Sequence, residues 1–180
     1  MTTPTTIETA DPRLLSSAFS GLRAVQQLAW AGSEAKGFHE AGDRLRLALA
    51  AAETAEELRL AERALQDHWA NRLMLIVGEA VEAHEELRSG RAVDETYYPT
   101  QTKVYVAPVG TPPEQMTGGS PIGSLVDDRR HKPEGVPSEL ADIVIRAFDA
   151  AGEAGIDLAS IIEEKLRYNA GRPVLHGRQF

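Results

Sequence analysis

The chain of 180 residues has no cysteine. That removes disulfides, thiolate metal sites such as zinc ribbons, and cysteine nucleophiles, and it points to a reducing, cytoplasmic setting. No apolar run approaches the length needed to cross a bilayer. The opening MTTPTTIETADPR lacks the basic-then-apolar order of a secretion signal. A cationic surplus is missing too. Nineteen Lys and Arg stand against 27 Asp and Glu, a net charge of −8, which argues against a surface for the backbone of a nucleic-acid duplex. A single nucleotide is different, because metal ions and a few local cations suffice for one triphosphate. The five histidines are scattered and none completes Glu-x-x-His, which argues against the carboxylate-bridged di-iron bundle built on that motif. No internal repeat is present.

What the chain does have is two acidic pairs set in apolar text. Leu73 to Ala83 reads LMLIVGEAVEA and holds Glu79-x-x-Glu82; Leu140 to Ala151 reads LADIVIRAFDAA and, with Glu139 before it, holds Glu139-x-x-Asp142. Helical residues three apart share a face, so each pair projects together. In the second stretch Glu139, Asp142, Arg146 and Asp149 form one narrow polar stripe, on a helix apolar enough to be packed on several sides. A single such pair reads as a solvated face. Two of them, brought together in a low-dielectric bundle, repel unless protonated or bound to a cation. A hard divalent metal with oxygen ligands fits that need.

The rest of the chain reads as helices around an insertion. Residues 1 to 11 are Thr- and Pro-rich and are expected to be disordered. Asp11-Pro12 starts a helix that runs to about Gly32. A second helical stretch begins near Ala41, and Thr54-Ala-Glu-Glu57 forms a capping box. Either one long helix or two with a break near residue 53 follows, ending at Gly90. Residues 91 to 136 are rich in Pro and Gly and read as an irregular loop or short-strand insertion, with a short strand or hairpin arm over Thr102 to Pro108. Pro137-Ser138 opens the next helix, and Asp157 caps the last one, which Gly171 and Pro173 end. On that last helix Lys165 and Asn169 continue the apolar face of Leu158, Ile161 and Ile162. The expectation is one all-α domain over residues 12 to 180.

These motifs resemble the MazG-like group of all-α nucleoside triphosphate pyrophosphohydrolases. That family carries E-x-x-E on one helix and E-x-x-D on the next, matched here by Glu79, Glu82, Glu139 and Asp142. The stretches Lys132-Pro-Glu-Gly-Val-Pro-Ser-Glu139 and Glu164-Lys-Leu-Arg-Tyr-Asn169, then Arg172-Pro173, add to the match, as does Trp30 to Phe38. Two features depart from the family pattern: residues 83 to 138 separate the acidic pairs, and about 42 to 68 is longer than a minimal core.

The resemblance implies a helical bundle that forms a homodimer or homotetramer and hydrolyses an NTP or dNTP between its α and β phosphates. Glu79, Glu82, Glu139 and Asp142 would be metal ligands and catalytic groups, with Mg²⁺ (or Mn²⁺) as cofactor. Lys165, Asn169, Arg172, Trp30 and Lys36 would bind substrate. A non-catalytic or weakly catalytic nucleotide-binding or assembly protein is the alternative on the same fold; a relative acting on a different phosphoanhydride is a third. Other residues have plainer roles. Arg146 is expected to pair with Asp142 four residues before it, and His84 to sit in a core or interface. Glu86 is expected to be exposed.

Overall fold

The computed structural model of the chain describes residues 6–99 and 132–172. Among the described residues there are five helices and no strand: α1 Pro12–Glu34, α2 Glu40–Ala50, α3 Ala55–Arg88, α4 Val136–Glu153 and α5 Leu158–Ala170. The fold is all-α, as the periodicities predict. The strand or hairpin arm expected over Thr102 to Pro108 lies outside the described residues, as does the tail from Pro173.

The helix ends follow the local chemistry of the sequence. Asp11 caps α1, its carboxylate accepting from the Arg13 amide at 2.7 Å with Pro12 in the first turn. The break before α3 falls at residues 51–54. There the capping box closes both ways: Thr54 Oγ1 accepts from the Glu57 amide, and Glu57 Oε2 accepts from the Thr54 amide. The backbone N–H groups of Thr54 and Glu53, followed by the Thr54 hydroxyl, hold the Glu57 carboxyl below its ordinary range. From there α3 runs unbroken through Gly78 to Arg88. Gly90, at φ +88°, ends it, with the Arg91 amide donating back to the Glu86 carbonyl. Asp157 caps α5; bonds from Ser160, then from Arg23, keep its carboxyl below the ordinary range.

The chain divides into two compact units: residues 1–80 with 141–180, and residues 81–140. In the larger unit α1 packs on α5. Arg23 forks onto Asp157 through Nε at 3.0 and 3.1 Å and reaches the Ser160 hydroxyl. Gln26 accepts from the Leu158 amide and donates to the Ile156 carbonyl, pinning the turn between α4 and α5. Phe19, Phe148, Ala151 and Ala159 are buried there. Gly152 lets α1 approach: a Cβ at that position would stand 2.7 Å from Trp30 Cβ.

The smaller unit holds the C-terminal turns of α3 and the start of α4. Tyr97 and Glu134 form an isolated antiparallel bridge. Gly135, at φ +104°, presses so closely on the Glu95 carbonyl that a Cβ would overlap it. Its own carbonyl then accepts from the Ser138 and Glu139 amides as α4 begins. This turn sets the register of Glu139.

Candidate functional site

On α3, Glu79 and Glu82 stand one turn apart on one face. Glu82 and Glu139 belong to the smaller unit, and Glu79 precedes Glu82 on the same unbroken helix. Glu79, Glu82 and Glu139 each offer one carboxylate oxygen within 4.8 Å of the others. Glu79 and Glu139 are buried, at 5% and 2% exposure, while Glu82 is open to solvent. Asp142 is half-buried and is not one of the three. It makes no hydrogen bond or ion pair among the described residues.

The expected Asp142–Arg146 pair is not what forms. Arg146 reaches across from α4 to α3, and its Nε donates to Glu79 Oε1 at 2.5 Å. Packing overrides the local i,i+4 option, because Glu79 is the more deeply buried carboxylate and has more need of a cation. Glu86 is also not simply exposed. It accepts from the Tyr97 hydroxyl and pairs with Arg91 at 3.2 Å, and the Arg91 guanidinium lies 3.5 Å above the Tyr97 ring. Burial, then the bond to Glu86, pushes the Tyr97 phenol above its ordinary value, against the opposing charge of Arg91. His84 is exposed on this chain, with Glu85 4.0 Å away.

The expected substrate residues sit on α1, after it, and at the end of α5. Lys165, Asn169 and Arg172 are exposed at the end of α5, with Lys165 and Arg172 flanking the Tyr168 ring at 5.5 and 5.9 Å. The face of α5 that packs uses Leu158, Ala159 and Ile162, and leaves Ile161 at 46% exposure. Trp30 stacks on His39 with ring centroids 6.1 Å apart. It also walls a cavity of about 420 Å³ with Arg23, Gln26 and Gln27. Lys36 lines a separate, mostly apolar cavity of about 400 Å³ with Leu28, Phe38 and Ile145.

Sequence reading missed the most buried polar cluster of the larger unit. His39, 2% exposed, bonds Glu34 through Nδ1 and Asp149 through Nε2, both at 2.7 Å. Arg72 meets Asp149 at 2.5 Å and Glu153 at 3.0 Å, and His68 meets Glu153 at 2.9 Å. The available signal was spacing. His68 and Arg72 lie four apart on α3, and Asp149 and Glu153 lie four apart on α4, with opposite signs.

Chemically, the three converging carboxylates form an all-oxygen donor set with no sulfur or imidazole. Such a set suits a hard divalent cation such as Mg²⁺, Mn²⁺ or Ca²⁺ rather than a soft one. No helix among the described residues is long and apolar enough to cross a membrane. No family model, curated protein or solved structure matches the chain.

Proposed function

We propose that this chain is a MazG-like, Mg²⁺-dependent nucleotide pyrophosphohydrolase that cleaves an NTP or dNTP to NMP and pyrophosphate. The observation that carries the reading is the convergence of Glu79, Glu82 and Glu139 within 4.8 Å, two of them buried. Mutual repulsion among three close carboxylates favours a cation at the site, beyond the Arg146 contact to Glu79. Glu79, Glu82 and Glu139 would hold the ion, and Asp142, one turn along α4 from Glu139, is the candidate fourth ligand. When bound, the ion neutralises phosphate charge and lowers the pKa of a coordinated water. Of the chain's own groups, exposed Glu82 is the best placed to exchange a proton with water. The cationic end of α5 supplies candidates for the leaving pyrophosphate.

Pyrophosphate release over the canonical NTPs and dNTPs with Mg²⁺ tests the reading. Release that stops on chelation supports it. Nucleotide binding without release moves the protein to a binding or assembly role.

Self-association belongs to the same proposal. Along α3, Leu73 and Met74 are each 61% exposed, Val77 48% and Val81 53%, while α4 exposes Leu140 and Val144. Apolar side chains at that spacing make a continuous stripe of the kind a subunit interface covers. Sedimentation is expected to give a mass of at least twice 19.5 kDa. A monomer at micromolar concentration would refute this part.

A further inference from the structure

We propose that Arg146 is the resident cation of the acidic site, holding Glu79 until a divalent ion takes the carboxylate and releasing it then. This rests on the metal-binding reading above and adds to it a residue outside the acidic motifs. Glu79 is 5% exposed, and an ionised carboxylate so buried needs a cation or a set of donors. Arg146 is the cation it has, through a single contact from Nε to Oε1. The Arg146 side chain is 40% exposed.

A structural arginine in the same unit looks different. Arg72 is 13% exposed and bridges two buried carboxylates, Asp149 and Glu153. It has no open side to leave by. Arg146 holds one oxygen by one donor and keeps much of its side chain in solvent, so breaking the contact requires little rearrangement and rehydrates the guanidinium. It also leaves four N–H donors of the guanidinium outside the Glu79 contact.

A divalent ion and a guanidinium oppose one another at that carboxylate, because their positive charges repel across a single small group. Binding at the trio therefore starts from a state in which one ligand is already engaged, and the apparent affinity is lowered by the fraction of time Glu79 is held. The benefit is a site that stays folded without metal. The pair keeps Glu79 oriented beside Glu82.

Calorimetric titration of metal-stripped, full-length protein with Mg²⁺ alone tests this, using wild type, Arg146→Met and Glu82→Gln. Arg146→Met is expected to bind Mg²⁺ at least about fivefold more tightly than wild type, the gain from removing one half-exposed competitor. Equal or weaker binding by the folded variant overturns the proposal. Should Arg146→Met fail to fold, the wild type decides. The Arg146 Nε–H resonance, identified by its loss in Arg146→Lys, is expected to shift on saturation with Mg²⁺, and a resonance that stays in place refutes release. Failure of the underlying metal reading has its own signature: Glu82→Gln then titrates like wild type.

Discussion

Replacing Glu82 with glutamine is expected to abolish metal-dependent turnover while raising the melting temperature of the metal-free protein. The two signs together are what an acidic metal site requires. Glu82 is the exposed member of the trio, so its charge is not needed to satisfy a buried partner. It forms no hydrogen bond or ion pair among the described residues. In the absence of metal it contributes mainly repulsion towards Glu79 and Glu139, within 4.8 Å. Solvent screening reduces that repulsion to about 1 kcal/mol, and for a chain of this size about 1 kcal/mol moves the midpoint by roughly 2–4 °C. With Mg²⁺ present the sign reverses, because wild type gains binding energy that the variant lacks. Loss of an outer-shell group lowers metal affinity or activity by roughly 10–100-fold, so loss of a direct ligand should cost at least about a hundredfold. Thermal unfolding with and without Mg²⁺, beside the release assay, reads both effects. A variant that keeps its turnover removes Glu82 from the ligand set.

Glutamine at Glu79 gives the useful contrast. That carboxylate is buried and already partnered by Arg146, so neutralising it leaves a guanidinium without its acceptor. Turnover would fall in both variants. Only at Glu82 would metal-free stability rise.

The legible parts of this molecule are those that short-range rules decide. The Asp11 and Asp157 caps, the Thr54–Glu57 capping box and the Gly90 terminator all stand where the sequence places them. Each is settled within four residues by groups that must find a partner at a helix end. The Glu79/Glu82 face was legible for the same reason. What was not legible is which charge crosses to which helix. Arg146 has Asp142 within i,i+4 reach and still goes to Glu79, because burial of the acceptor outweighs a local pair worth a few tenths of a kcal/mol.

His39 shows the same limit more sharply. Nothing in its neighbourhood in sequence marks it as a fully buried side chain. Its burial depends on Asp149, 110 residues away. Lys165 and Asn169 show that helical spacing alone does not fix burial. They sit at the right spacing from Leu158 and Ile162, yet α5 stops burying that face a turn earlier.

Arg72 to methionine carries the largest expected loss of stability, about 3–5 kcal/mol, the usual penalty for stripping one partner from a buried ionic group. Three features put it there. The Asp149 and Glu153 side chains are only 8% and 1% exposed, and among the described residues Arg72 alone forms an ion pair with both. Asp149 also anchors His39, whose other nitrogen holds Glu34 at the end of α1. Glu153 in turn holds His68. Removing the guanidinium therefore leaves two buried carboxylates sharing two histidines, and it loosens the junction of α1, α2, α3 and α4 inside one unit. Arg46, 3.6 Å from Glu153, is more exposed and too distant to take over both carboxylates. At roughly 2–4 °C per kcal/mol the midpoint should fall by about 6–20 °C. Arg72→Lys keeps the charge but can serve the two carboxylates less well, because an ammonium lacks the planar fork; its loss should be smaller. The charge-neutral double change Arg72→Met with Asp149→Leu separates lost packing from stranded charge. If the stranded carboxylate dominates, the double variant recovers part of the deficit. A double variant worse than the sum of the singles would instead mean that Asp149's bond to His39 is the contact that matters.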